Sequence, residues 1–408
     1  MMGRKKHCAV LLIVVSACVL ASHSVHAQGW AQSLTAYPPN WLLPNNFELR
    51  LTGFASGAAY AAPASAGPAM SGGTNESGVT GQARVNLRLQ RIRDTGLIYG
   101  ARGEFLIYHD GLSGDAYGND FVERAYLYMQ TGLGNIELGQ QIGVGQTIGL
   151  TGPKVDEHVS LDNPDTYLFR DPTTGERFDS FFRTHAVAKA SAVSPKISYV
   201  SPRLFGIQIG ASFTPHTVKA PLPFMGNPSD APNQQGSLWE VAGSYVGYLD
   251  DVALGVSGTF TRGTLRNRTA GFDDLYDFAL GAQVAAELID DVRFSFGGAY
   301  RMTNAYTLQT HLAYSAEVTR VLQLGAMVEW KSWRFGAEYS SADADGAAGT
   351  PDVIATGYQL AAGYRLNFNL ELSAGWQWRD YTRSTGTFYN GGNEIDMNGG
   401  FLTLAFTL

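Results

Sequence analysis

The chain is poor in several things that a soluble enzyme of its size would have. Only 16% of its 408 residues are charged, where about 25% is usual. Beyond residue 27 lysine occurs only at Lys154, Lys189, Lys196, Lys219 and Lys331. The cysteines, Cys8 and Cys18, both lie near the N-terminus, which leaves the body of the chain without thiols or disulfides. Outside the N-terminus no apolar run approaches the roughly 18 residues of a membrane-spanning helix. Neither a Gly-x-Ser-x-Gly nor a His-Glu-x-x-His occurs, and His109, His158, His185, His216 and His311 form no pair at helical spacing. Zinc chemistry and serine-hydrolase chemistry therefore have no sequence foothold. Gly143-Val144-Gly145 opens a near miss to a dinucleotide loop, but Ile148 takes the third glycine's place and no helical period follows. Neither a cofactor nor a metal is implied. Asp162, Asp165, Asp343 and Asp345 are weak calcium candidates, more simply read as solvated loop acids.

What is present is glycine (48) and aromatics, with 21 Phe, 20 Tyr and 7 Trp. Residues 1–27 read as a secretion signal: Arg4, Lys5 and Lys6, an apolar stretch Ala9–Leu20, and Val25-His26-Ala27 before a cleavage at Gln28. A looser alternative is a lipoprotein box ending at Cys18. Loss of the three leader cations takes the net charge from −7 to −10, which argues against nucleic acid as a partner. Residues 28–46, with Pro38, Pro39 and Pro44, read as an extended arm, and 47–408 as one barrel domain.

From Phe47 onward the period is two, over segments of about 8–14 residues separated by turn signals, the pattern of membrane-crossing strands. Val292, Phe294, Phe296, Tyr300 and Met302 take one face of their segment, against Arg293, Ser295 and Arg301. Leu370, Leu372, Ala374, Trp376 and Trp378 oppose Glu371, Ser373, Gln377 and Arg379. Full charges at mid-strand suit a wet lumen, and aromatics near strand ends suit membrane interfaces. A soluble sandwich would have shorter strands, of about 5–6 residues. Seventeen segments alternate. An even number is expected of such a barrel, and 308–319, the weakest, is read as mostly loop. The expectation is an all-β, 16-stranded antiparallel transmembrane barrel. Its last segment, with Leu402, Leu404, Phe406 and Leu408 on one face, must pair with the first to close the cylinder.

Two blocks, FVERAYLYMQTGLGNIELGQQIG (121–143) and SPKISYVSPRLFGIQIGASFTP (194–215), together with the terminal strand, resemble the Gram-negative general porins. Leu408 stands where that family usually ends in Phe, and the family's Pro-Glu-Phe-Gly-Gly loop motif is absent. The resemblance implies a homotrimer in an outer membrane, in contact with its lipid. It also implies a third loop, here about 145–193, folded into the lumen as a constriction. On the family pattern Arg124 and Lys196 belong to a basic wall, which Arg84, Arg88 and Arg102 extend on nearby polar faces. The opposing loop acids are Asp156, Glu157, Asp162, Asp165, Asp171, Glu176 and Asp179. The wall arginines could instead simply be paired with Glu104 or Glu123. The function implied is passive diffusion of small hydrophilic solutes and ions, without catalysis. Three alternatives are a substrate-specific channel, for which Tyr126 and Tyr128 with Phe178, Phe181 and Phe182 hint at an aromatic slide, a barrel enzyme and an adhesin.

Overall fold

The computed structural model describes residues 40–61, 77–109, 122–156, 159–161, 190–191, 193–216, 234–266, 273–289, 291–304, 316–346, 352–367, 369–385 and 392–408. The proposed signal sequence lies outside the described residues, as do most of the arm and most of the third loop.

After a short strand β1 (Asn40–Leu43) and one 3-10 turn (Pro44–Asn46), sixteen strands follow in chain order. They are β2 (Phe47–Ala61), β3 (Ser77–Ile92), β4 (Ile98–His109), β5 (Val122–Thr131), β6 (Gly134–Gln141), β7 (Ser194–Val200), β8 (Ile207–His216) and β9 (Gln234–Leu249), then β10 (Val252–Arg266), β11 (Leu275–Ile289), β12 (Val292–Thr303), β13 (Ala316–Trp330), β14 (Trp333–Gly346), β15 (Val353–Asn367), β16 (Leu370–Arg383) and β17 (Glu394–Thr407). From β2 to β17 each strand pairs antiparallel with the next, and β17 pairs with β2, so the cylinder closes on sixteen strands. Of the doubtful segment 308–319, the last four residues belong to β13, which begins at Ala316, and 305–315 lie outside the described residues.

Alternation sorts the side chains as the sequence anticipates. Leu402, Leu404 and Phe406 are 50%, 48% and 43% exposed, while Thr403 between them is fully buried. The exposed set continues around the outside with Leu127, Leu138, Ile197, Leu280, Leu360 and Trp376. In water this surface would be unfavourable; in lipid it is the solvated face. Connections at one rim are tight, and their geometry is set by single residues. Asp250 and Asp291 take left-handed backbone (φ 53° and 64°), a conformation that aspartate tolerates better than most residues.

Closure of the seam uses both termini of the described chain. β3 holds one edge of β2 along its whole length, from Phe47 to Ala61. On the other edge β17 covers Phe54–Ala61. Leu408 and Gly53 then exchange backbone hydrogen bonds of 2.8 and 3.2 Å. β1 takes the rest, pairing Leu43 with Phe47 and Asn40 with Arg50. The arm residues thus complete an edge that would otherwise be left open.

Replacing Leu404, Phe406 and Leu408 together with Asp should abolish barrel assembly. Charges on the lipid face cost roughly 2–4 kcal/mol each near the midplane for basic residues and less for acids, and these three sit on the closing strand. The check is heat-modifiable migration of the membrane-extracted protein, with loss of the compact form expected.

Candidate pore constriction

The inner wall carries a belt made by the start of the third loop. Although no helical period marks the sequence after Gly143, Val144–Ile148 form a single turn of helix, α1. Tertiary packing explains it: Val144 and Ile148 are buried against Ala242 of β9 and the partly buried Val200 of β7. Beyond α1 the chain runs along the wall strand by strand. The Leu150 N–H donates to Ser257 Oγ on β10 (2.9 Å). Gln283 of β11 donates to the Thr151 carbonyl. The Gly152 N–H donates to Gln323 Oε1 on β13 (2.6 Å). Ser373 of β16 donates to Asp156, whose other oxygen accepts the Val159 N–H (3.0 Å). The segment then turns back. Gln359 of β15 donates to the Val159 carbonyl (2.8 Å), and the Leu161 N–H donates to Glu338 of β14 (3.3 Å).

Glycines let the belt lie this close. A Cβ at Gly281 would meet the Leu150 carbonyl, one at Gly325 the Pro153 carbonyl, and one at Gly336 would come 2.6 Å from Val155 Cγ2. The returning limb is tied to the same wall. Ala190 N–H donates to Asp277 (3.0 Å), and Ser191 Oγ donates to Glu240 (2.8 Å). Ser212 and Thr261 also donate to Glu240, at 2.6 and 3.4 Å. Arg301 grips Asp277 through two bonds of 2.7 and 2.6 Å.

The basic residues anticipated from the sequence separate into two groups. Register places Arg88 directly between Arg50 and Arg102 on neighbouring strands. One level along, Asn86, Glu104 and Arg124 align across β3, β4 and β5. Glu104 is a shared counter-ion: Arg84, Arg102 and Arg124 lie 3.9, 3.6 and 3.5 Å from it. Arg84 also approaches Glu123, at 3.4 Å. Arg84 and Arg102 keep 18% and 19% of their side chains exposed, whereas Arg124 keeps 2%. Lys196 is likewise buried, donating to Ser191 Oγ at 2.7 Å. Arg124 and Lys196 therefore lie within the wall, and Arg84, Arg88 and Arg102 reach its surface. Pairing with Glu104 or Glu123 holds for Arg84, Arg102 and Arg124 and not for Arg88, and Glu137 on β6 adds a further carboxylate facing this side, held by Asn135 (2.7 Å).

Of the loop acids, Asp156 is buried and holds the belt to β16. Glu157, Asp162, Asp165, Asp171, Glu176 and Asp179 lie outside the described residues, as do Phe178, Phe181 and Phe182. The two tyrosines of the suggested aromatic slide turn their hydroxyls to arginine. Arg88 Nε donates to Tyr128 (2.8 Å) and Arg102 to Tyr126 (3.4 Å). Among the described residues no group of three metal-ligating side chains converges. The sequence reading passed over Arg50, and over Glu240 and Asp277 as loop anchors. Alternation told which face each occupies, but not which partner stands opposite.

A family model described as Gram-negative porin matches residues 14–401. Among solved structures, OmpF of Salmonella typhi in complex with daunomycin superposes with a TM-score of 0.57 at 15% identity, over 91% of this chain and all of that one (100%). The anion-selective porin of Comamonas acidovorans gives 0.52 at 13% identity, over 89% and 100%. OmpT of Vibrio cholerae, an outer-membrane protein in trimer form, gives 0.51 at 14%, over 89% and 99%. At such identities the likeness is one of fold. No curated protein sequence matches the chain.

Gly281→Val with Gly325→Val should dislodge the belt and spare the barrel, because valine suits a strand but its Cβ takes the belt's place. Limited proteolysis of the folded variant should cut within 149–161, where the parent protein resists. Gly258→Val, on the outer face with only Leu280 at 3.4 Å, should leave that protection intact.

Proposed function

The chain belongs to the Gram-negative porin family, an outer-membrane β-barrel, and from that premise we propose that it is a passive diffusion channel for small hydrophilic solutes and ions. The observation that carries this reading is the closed cylinder with an apolar exterior and a polar, charged interior. Such a wall solvates ions and hydroxylated solutes and offers apolar ones nothing in exchange for the water they would displace. The protein acts as a conduit, without catalysis. Its proposed constriction sets Arg84, Arg88 and Arg102 on the wall, backed by the buried Arg124 and Lys196, against acids of the third loop from Asp156 to Asp179. Charges closer than a Debye length, about 8 Å in physiological salt, act on every passing ion. We infer further that it works as a homotrimer, seated in lipid. The small outer-face residues Gly53, Ala55 and Gly57 on β2 would let neighbouring barrels approach closely, which is consistent with the trimer form of the Vibrio cholerae protein.

Liposomes carrying the protein should swell in neutral sugars at rates that fall with sugar size and ignore stereochemistry. Saturable, stereospecific entry would favour a substrate-specific channel, and absence of swelling would end the channel reading. In planar bilayers across a salt gradient, Arg84→Ser with Arg102→Ser should move the reversal potential toward cation preference. Glu104 keeps Arg124 as its partner in that variant, so assembly should survive. Asp162→Asn with Asp165→Asn should move it toward anions. Unchanged potentials in both would place the selecting charges elsewhere.

A further inference from the structure

Two glycines leave a gap in the lipid-facing surface. Gly243 of β9 and Gly258 of β10 stand directly opposite each other, flanked by Ile209 on β8 and Leu280 on β11. Alternation puts all four on the outer face, where Ile209 and Leu280 are well exposed. A Cβ at Gly243 would meet only the Gln208 carbonyl, at 3.9 Å, and one at Gly258 only Leu280, at 3.4 Å. Other outer-face glycines are covered by the barrel itself. A Cβ at Gly298 would come 2.6 Å from Leu324 Cδ2, and one at Gly400 would come 2.9 Å from the Trp376 ring. The uncovered pair opens into a groove of about 520 Å³, walled by Tyr199, Ile209, Val241, Phe260 and Phe278.

Four residues further along β10 the same face carries a cation. Arg262 is exposed, with Trp239 opposite it on β9 and Tyr276 opposite it on β11. Phe213 packs on Trp239, with 4.6 Å between ring centroids. Aromatics gathered on the outer face mark the level of the lipid headgroups. The tight turn between β9 and β10 lies at the other end of these strands, so Arg262 belongs to the rim of longer connections, the external one in outer-membrane barrels. Four residues span roughly 13 Å along a strand, within half of a hydrocarbon core about 30 Å thick. The groove thus lies at acyl-chain depth beneath a cation at headgroup level. Among the described residues Arg262 makes no hydrogen bond and no ion pair. Asp274, two residues before Tyr276, accepts from the Leu265 N–H (3.3 Å) instead. Arg320, also outward at this rim, has Asp343 and Asp345 at 3.6 and 3.1 Å.

We propose that the Gly243–Gly258 groove and Arg262 together seat one negatively charged, phosphate-bearing lipid of the external leaflet, with an acyl chain in the groove and the phosphate on the guanidinium. The site faces lipid and does not depend on what passes through the lumen. Charge selects the occupant. A neighbouring barrel pressed into the groove would bury the guanidinium, and a buried cation without a counter-ion is costly. A lipid brings the chain and the counter-ion in one molecule, and arginine pairs with phosphate through two parallel N–H bonds. The aliphatic stem of Arg262 can lie along the apolar surface while its head stays at the interface.

The experiment is native mass spectrometry of the folded, delipidated protein titrated with phosphatidylglycerol, with phosphatidylcholine of the same chains as control. Phosphatidylglycerol should be retained, one per chain, at concentrations where phosphatidylcholine is not. Arg262→Gln should raise its apparent Kd about tenfold, as expected for one lost charge-assisted contact. Gly243→Leu with Gly258→Leu, which fills the groove, should weaken retention of both lipids. Lys331→Gln, at the opposite rim, should change nothing. Inorganic phosphate in tenfold excess should not displace the lipid. Equal retention in parent and Arg262→Gln would overturn the site. Displacement by phosphate, with the glycine variant behaving as the parent, would reduce it to an ion contact and overturn it too. A change of oligomeric mass in either variant without loss of bound lipid would make this face an interface between copies and decide against a lipid seat. Should the glycine variant give no heat-modifiable barrel, Arg262→Gln alone decides.

Discussion

Everything in this molecule follows from one requirement: inside lipid no backbone N–H or C=O can be left without a partner. A sheet meets that requirement only by closing on itself, and closure is decided where β17 meets β2. That seam is short. β17 reaches β2 only from Phe54 onward, and the Leu408–Gly53 exchange ends it. The first residues of β2 would face lipid with one bare edge but for β1, which folds back over Phe47–Arg50. A four-residue strand contributes little packing of its own. Its value lies in the backbone groups it satisfies, each of which would otherwise cost several kcal/mol of order.

A closed cylinder with lipid outside sends its polar side chains inward, and there they must be satisfied again. The wall from β9 to β17 does so with side chains that reach across strands. Arg334 meets Glu371, Arg301 meets Asp277, and Glu338, Gln359 and Gln377 form a ladder over β14, β15 and β16. The belt then seals this wall. Its backbone donors and acceptors are met by Ser257, Gln283, Gln323 and Gln359, and the strand glycines bring it near enough for those bonds to form. Breaking such a buried pair from one side would cost about 3–5 kcal/mol, and Asp277 and Glu338 also accept from backbone N–H groups of the loop.

Much of this was legible in the sequence, and the boundary of legibility has a physical meaning. Period two marked the strands, the lipid face and the inward position of Arg301 and Glu371, since a one-residue slip would reverse every facing; the count of sixteen needed the further rule that such barrels have an even number of strands. It could not give register. Whether Arg124 stands beside Glu104 or beside open water depends on how β4 slides against β5, and that offset is set by turns and bulges spread over the barrel. Arg124 and Lys196, the two residues singled out by family resemblance, prove to be buried, while Arg50, which that reading omitted, lies in the accessible row. The α1 turn was hidden for a related reason: five residues are too few to show a period, and burial against β9 rather than propensity makes them helical.

The described part of the belt also decides which wall charges it covers. Inward arginines occur on both sides of the cylinder, and their number alone would suggest a field without direction. Where the belt lies against β8 to β16, Arg301 and Arg334 are buried and locked to carboxylates, and low local dielectric confines their influence to their partners. On β2 to β4 no described segment of the belt intervenes. There Glu104 is shared by Arg84, Arg102 and Arg124, Glu48 pairs with Arg50 and Glu123 with Arg84, and among the described residues Arg88 has no carboxylate within ion-pair distance. The asymmetry of charge thus follows the path of a nearly neutral stretch of loop, and the glycines of β11, β13 and β14 are what admit it.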